Sequence, residues 1–293
     1  MPTVLIAGGS GLIGGQLTGH FKDRGFRVYK LTRKAAKQGH IFWHPQQEKI
    51  NTVKLAKIDV LVNLAGENIG SKRWTTDRKA QILSSRVQST DFLATLIPQM
   101  PNLKYYIGAS GVNCYPNLPG KTFREEDAYG SDFLATVVKE WEAAHQRVLS
   151  QVPGSVLRIS MVLSRYGGSL HLMKQPIKWG IGAAIGSGKQ SSPWVHIDDL
   201  CRVVLFACDN RLVGTYNILG ANSTNNEMTT RLAKWLKRPL FMPNIPAFFL
   251  RFLLGERAIL VLADLKASNQ KVKDAGFTFK YTSLDNTFKS FFK

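Results

Sequence analysis

The chain has 293 residues, 44% of them hydrophobic, and 39 Lys and Arg against 20 Asp and Glu give a formal net charge of +19. That describes a folded protein with a large core, and the charge invites a nucleic-acid partner; yet the basic residues are spread over the whole chain, no nucleic-acid motif is visible, and a dispersed lysine excess also draws phosphorylated ligands. Cys114, Cys201 and Cys208 lack metal-ligand or redox spacing, so no metal centre is expected and a reducing, cytoplasmic compartment fits. Met1-Pro2-Thr3 runs straight into a strand without an export signal, and the late apolar stretch from Ile245 to Leu265 is broken by Arg251, Glu256 and Arg257 before it reaches spanning length.

The apolar run Val4 to Ala7 predicts a buried strand. It ends in Gly8, Gly11 and Gly14, spaced G-x-x-G-x-x-G, and a helical pattern follows through Leu17 and Phe21. Between a first strand and a first helix this spacing points to a dinucleotide site. Gly8 permits the tight turn, Gly11 admits a pyrophosphate to the backbone, and Gly14 lets helix and strand pack closely. The helix N-terminus then offers unpaired N–H groups to the phosphates. The second strand, from Arg27, ends on Thr32, Arg33 and Lys34 with no acid to bind a ribose 2′-hydroxyl. A guanidinium there suits a 2′-phosphate, which favours NADP(H) over NAD(H). The plainer reading is a solvated basic loop, since Lys37 continues the run.

Strand and helix patterns then alternate. Asp59 to Gly66 reads as a buried strand with a glycine turn, and 75–97 as a helix with Ile82, Val87, Phe92 and Leu96 apolar. Leu103 to Ala109 reads as a strand closing on Ser110, 131–150 as a helix, Ser155 to Ser160 as a strand, and Asp198 to Cys208 as a helix capped by Asp198. This predicts an α/β fold, a Rossmann-type doubly wound parallel sheet with a smaller C-terminal substrate lobe. The expected division is an NADP-binding domain over 1–164, its sheet completed by parts of 190–220, with 165–293 mainly the interleaved substrate side. The run Phe248, Phe249, Leu250, Phe252, Leu253, Leu254 is expected to form core helices of that lobe, or else an apolar pocket.

The glycine turn, Asn63-Leu64-Ala65-Gly66, Ser110, Leu157-Arg158 and His196-Ile197-Asp198-Asp199 together resemble an extended short-chain dehydrogenase/reductase. More narrowly, Glu67-Asn68-Ile69 with Arg73-Trp74, Ile82 to Val87, Asp132 to Ala135, Trp141-Glu142, Pro193 to Asp199 and Leu254-Gly255-Glu256 resemble one atypical branch. That branch is the epimerase-like family of predicted nucleoside-diphosphate-sugar epimerases, sometimes mislabelled cell-division inhibitors. The resemblance implies an NADP(H) site in which Gly8, Ser10, Gly11, Leu12 and Ile13 wrap the pyrophosphate. Thr32 and Arg33 would meet the adenosine side, and Leu64, Ala65 and Gly66 would line the path from adenine to ribose. Ser110 and the strand end Arg158, Ser160 and Met161 would stand near the nicotinamide.

Such reductases use a Tyr-x-x-x-Lys pair on the helix after Ser110. Asp132 to Glu142 contains no tyrosine; Ala135 stands four residues before Lys139, and the alternative register gives Leu134 and Val138. Ser110 and Tyr115 remain as candidate catalytic groups, with Tyr129 and Lys139 behind them. Asn68, Arg73, Trp74, Arg86 and His196 are candidates for binding an anionic small-molecule substrate such as a sugar nucleotide. The expected function is an NADP(H)-binding atypical oxidoreductase or epimerase-like protein. The alternatives are a non-enzymatic NADPH sensor or scaffold, and a basic protein that binds nucleic acid or a membrane surface.

Overall fold

The computed structural model describes residues 1–33 and 38–292. Lys34 and Lys37, from the basic run after the second strand, lie outside the described residues. The N-terminal half runs β1 (Thr3–Ala7), α1 (Leu12–Asp23), β2 (Arg27–Thr32), β3 (His40–His44), β4 (Lys49–Ile50), β5 (Val60–Asn63), α2 (Thr76–Leu96), β6 (Tyr105–Gly111), β7 (Thr122–Phe123), α3 (Phe133–Leu149) and β8 (Gly154–Ile159). There follow β9 (Met161–Ser164), β10 (Gly167–Gly168), α4 (Ser169–Lys178), β11 (Ser191–His196), α5 (Ile197–Asp209), β12 (Gly214–Ile218), β13 (Ala221–Thr224) and α6 (Asn225–Trp235). The chain ends with α7 (Ala247–Leu254), α8 (Ile259–Leu262), β14 (Lys266–Ala267), α9 (Gln270–Asp274) and α10 (Leu284–Phe292).

The main sheet has the order β12-β8-β6-β5-β1-β2-β3-β4, and every pair is parallel except β3 with β4. Parallel strands covered on both faces read as continuous apolar runs, and β1 shows why. Val4 and Ile6 point to one layer, with Leu17 and Phe21 of α1 and Leu200, Val203 and Val204 of α5. Leu5 and Ala7 point to the other, with Phe92, Leu93 and Leu96 of α2 and Val148 of α3. The strand order reverses between β1 and β5, so a crevice opens at their carboxyl ends.

Ser110, expected just past its strand, lies within β6 in register with Arg158. Helix α5 is capped by His196 rather than by Asp198: the His196 Nδ1 accepts the Asp198 N–H at 3.0 Å, which places Asp198 in the first turn.

A second sheet, β10-β9-β11-β13, forms its own core with α4, α6 and α10 around Leu163, Trp194, Leu232 and Phe288. The expected core role of the run from Phe248 to Leu254 is overturned. Only Leu250 of α7 is buried, while Phe248 and Phe252 are 73% and 82% exposed. A helix apolar at every position but one, Arg251, buries only the stripe that has a neighbour, and α7, bounded by Pro246 and Gly255, packs on one side.

Candidate cofactor crevice and substrate cleft

The glycine turn is shaped by exclusion. Gly8 has φ +75°, and a Cβ there would lie 2.5 Å from the Leu64 carbonyl oxygen. A Cβ on Gly14 would lie 2.4 Å from the Gly8 oxygen and 2.6 Å from the Gly9 Cα. At Gly11 the nearest protein atom to a Cβ is the Gly8 oxygen at 3.4 Å, so that side of the turn faces open space. Gly11 is also the N-cap of α1 and supplies no side chain to its first N–H groups. Ser10 and Gly11 are exposed and Leu12 and Ile13 half-buried along the same rim. A cradle with bare helical N–H groups beside a space that a side chain would fill fits a pyrophosphate.

Across the crevice, Asn63 is fully buried and shapes the next turn. Its Oδ1 accepts the Ala65 N–H at 3.1 Å and its Nδ2 donates to Thr90 Oγ1 at 2.9 Å. Leu64, Ala65 and the exposed Gly66 thereby face β1. Arg86 stands behind Gly66, donating to the Ile82 and Glu67 carbonyls at 3.0 and 3.1 Å, with its guanidinium 5.0 Å from the Trp141 ring. Burial lowers its pKa to about 10. Arg33, beyond Thr32 at the end of β2, is exposed with its guanidinium 3.8 Å from the Glu67 carboxylate, which Arg78 holds at 3.2 Å. The stem of Lys30 packs against Gly9, a contact that sequence reasoning missed.

Ser110, Tyr115 and Arg158 belong to one buried network. Ser110 donates to Glu142 Oε1 at 2.5 Å. Arg158 donates to both Glu142 oxygens at 2.8 Å, to the Tyr115 hydroxyl at 2.9 Å and to the Tyr129 hydroxyl at 3.0 Å. Tyr129 in turn donates to Glu142 at 2.6 Å and Tyr115 to Asn217 Oδ1 at 2.8 Å. Although burial acts to raise it, the Arg158 pair and the two hydroxyl donors hold the Glu142 pKa below the ordinary carboxylate range. Burial pushes Tyr115 up, and Tyr129 up to about 12. Ser160 is buried at the end of β8, and its hydroxyl has no partner among the described residues; Met161 beside it is half-buried. On α3, Leu134, Ala135 and Val138 are buried, and Lys139 faces solvent.

A cavity of about 460 Å³ opens beside this network. Asn117, Arg251, Glu256, Ile259 and Ala263 line it, and a second, much smaller cavity that shares Asn117, Ile259 and Ala263 with it is lined also by Asn113, Tyr115, Asp132 and Leu134. The segment from Gly255 to Leu265 roofs it, tied down where Arg257 donates to the Gly70 carbonyl at 3.1 Å. The sequence reading missed Asn113, Asn117 and Arg251. A lone arginine inside an otherwise apolar helix was the one available signal.

The other substrate candidates are scattered. Asn68 is exposed and folds its own loop, accepting the Gly70 N–H at 2.8 Å. The Trp74 indole donates to the Ile69 carbonyl at 2.8 Å and meets Phe133 edge-on at 5.0 Å; Arg73 is exposed beside it. His196 is 4% exposed, stacked between Tyr281 and Phe291 at centroid distances of 3.7 and 4.6 Å, with Nε2 on Ser290 at 2.9 Å. It does not line the cavity, and burial lowers its pKa to about 4.

Residues 4–218 match the NAD dependent epimerase/dehydratase family, and residues 245–291 match a domain of unknown function, DUF1731. An epimerase family protein of Staphylococcus haemolyticus is 36% identical over 99% of this chain and 98% of its own length. The crystal structure of human epimerase family protein SDR39U1 with NADPH superposes with a TM-score of 0.90 at 30% identity, covering 99% of this chain and 98% of that one. A nucleoside-diphosphate sugar epimerase from Corynebacterium glutamicum gives 0.80 at 30% identity, over 98% of this chain and 57% of that one. The glycine cradle, the sheet that carries it and these matches agree: the chain belongs to the NAD dependent epimerase/dehydratase family.

Proposed function

We propose that the chain is an NADP(H)-dependent enzyme of atypical short-chain type that acts on an anionic small molecule, with sugar nucleotides as the leading class. The observation that carries the reading is the space kept open at Gly11 while Gly8 and Gly14 have none to spare. The NADPH held by the human relative supports the choice of cofactor, as does Arg33 at the end of a strand that carries no acid. In this reading 1–164 with β12 hold the dinucleotide, and the rest of 165–293 forms the substrate side. Bound NADP(H) supplies or accepts a hydride. Thr32 and Arg33 take the adenosine phosphate, Leu64 to Gly66 flank the ribose, and the unpartnered Ser160 hydroxyl, next to Met161, is available to the nicotinamide amide.

Arg251 lines the cleft, and the Glu256 carboxylate on the same lining is paired with Lys79, so the arginine's charge is left for an anionic substrate. Asn68, Trp74 and Arg86 shape the rim and floor of the crevice. Ser110 and Tyr115 act as positioning residues in this proposal, because both hydroxyls are committed within the Glu142–Arg158 network. Simple ketones should therefore turn over poorly: a matched proton donor is typically worth about 10²–10⁴-fold in rate, and α3 carries none at the expected positions.

The second reading, a non-enzymatic NADPH sensor, is favoured by α3, which offers Ala135 and Lys139 in one register and Leu134 and Val138 in the other, with no Tyr–Lys pair in either. Titrating NADPH and NADH by calorimetry tests the cofactor. Screening carbonyl compounds and sugar nucleotides, in wild type and in Ser110→Ala and Tyr115→Phe, tests the chemistry. Tight NADPH binding with no turnover of any of them would establish the sensor, and failure to bind either cofactor would end both readings.

A further inference from the structure

We propose that helix α7 and the segment beside it dock on an anionic phospholipid surface. Phe248, Phe249, Phe252 and Leu253 are 73%, 49%, 82% and 56% exposed. At about 100° per residue they share an arc of roughly 140° on the helix, with Leu250 on the opposite, buried side. The apolar surface continues past the helix. Phe241 is 80% exposed upstream of it, and Trp179 and Ile181 are 72% and 55% exposed on the segment alongside. The two segments are joined in parallel: Ile245 N–H donates to the Ala184 carbonyl at 2.9 Å, and Gly186 N–H to the Ile245 carbonyl at 2.8 Å. A single exposed phenylalanine is ordinary, but two chain segments bringing large apolar groups to one region make a contact surface.

The charge around this surface selects its occupant. Residues 171–190 and 234–257 contain eight Lys and Arg and one acid, Glu256, whose carboxylate is taken by Lys79. Exposed aromatics on segments with so large an excess of cations match a bilayer with negative headgroups. The rings enter the boundary between headgroups and acyl chains, and the basic side chains stay over the phosphates. A second copy of this chain fits less well, because a two-fold contact through this face would set the same cations against one another. The contact is peripheral, since no helix among the described residues is long and apolar enough to cross a membrane.

Flotation of the full chain with vesicles tests the proposal. Wild type is expected to float with phosphatidylglycerol-containing vesicles, to float far less with pure phosphatidylcholine, and to be released by salt. Phe248→Ser with Phe252→Ser should lower the partition coefficient about 100-fold, the product of two lost aromatic insertions. These side chains lie outside the crevice and the core, so NADPH affinity and melting temperature serve as controls for an intact fold. Three results would overturn the proposal: wild type that never floats, flotation that the double variant leaves unchanged, or a dimer that the same substitutions dissociate while vesicles recruit nothing.

Discussion

Replacing Gly11 with valine separates ligand space from protein space. Gly11 has φ −76° and ψ 176°, a backbone that valine adopts readily, and its Cβ would approach nothing in the protein nearer than 3.4 Å. The fold should therefore survive, with a melting temperature within a few degrees of wild type. Binding should not. The branched side chain fills the space over the first N–H groups of α1, and a pyrophosphate excluded from two such donors loses roughly 1.5–3 kcal/mol for each charge-assisted bond. The sum, about 3–6 kcal/mol, weakens NADPH at least 100-fold. Gly14→Ala provides the contrast. Its Cβ would stand 2.4 Å from a backbone oxygen, so helix and strand must part and stability itself should fall by about 1–3 kcal/mol. Calorimetry with NADPH and thermal melting on both variants decide the matter. Gly11→Val binding within threefold of wild type would refute the assignment of that space to the cofactor.

Three further outcomes are expected. Arg33→Ala should weaken NADPH by about 1–3 kcal/mol and leave NADH nearly unchanged, because only the former offers a 2′-phosphate; equal losses would make Arg33 an ordinary loop charge. Glu142→Gln leaves the Arg158 guanidinium buried without its carboxylate and should cost about 3–5 kcal/mol by chemical denaturation. Because the Glu142 pKa is lowered in the folded chain, the stability it contributes is present above the unfolded carboxylate range and is lost as pH falls through the folded value. His145 and His196 are both buried with pKa values lowered to about 4, so between their unfolded value near 6.5 and about 4 the unfolded chain binds more protons. Unfolding free energy should thus drop by about 2 kcal/mol per histidine between pH 7 and pH 5, and His145→Gln should flatten that slope.

The sheet was legible because its signals are local. Val4 to Ala7 and Val60 to Val62 are apolar on both faces, and the spacing of Gly8, Gly11 and Gly14 marks the turn between the first strand and helix. The cleft was not legible, because it is assembled across the chain. Tyr115 and Asn117 follow β6, Asp132 caps α3, and Arg251 and Ile259 come from the C-terminal segment, so no window of sequence holds the cavity. The Ser110–Glu142–Arg158 network was hidden for the same reason. Each member sits on a different element, and an isolated serine after a strand reads as a free hydroxyl until its acceptor is known. Hydrophobicity misled at α7, because composition shows which residues are apolar but not how many sides of a short helix find a neighbour.

The position of β12 bears on how the polypeptide acquires its shape during synthesis. The edge strand beside β8 is made only after β9, β11 and α5 have been translated, and α5 also supplies Leu200 and Val203 to the layer beneath β1. A nascent chain ending near residue 164 therefore has its first strands but neither the cover of α5 nor the partner of β8. Its Tyr105 hydroxyl also waits for the Leu212 carbonyl, which it meets at 2.6 Å in the finished molecule. Such a fragment presents an unpaired strand edge and an uncovered apolar layer, the combination that recruits chaperones or aggregates. The first 164 residues therefore cannot complete their sheet on the ribosome before β12 has been made. Cutting the gene after residue 164 should yield insoluble product, and co-expressing both pieces should restore it only where β12 reaches β8 before other edges do.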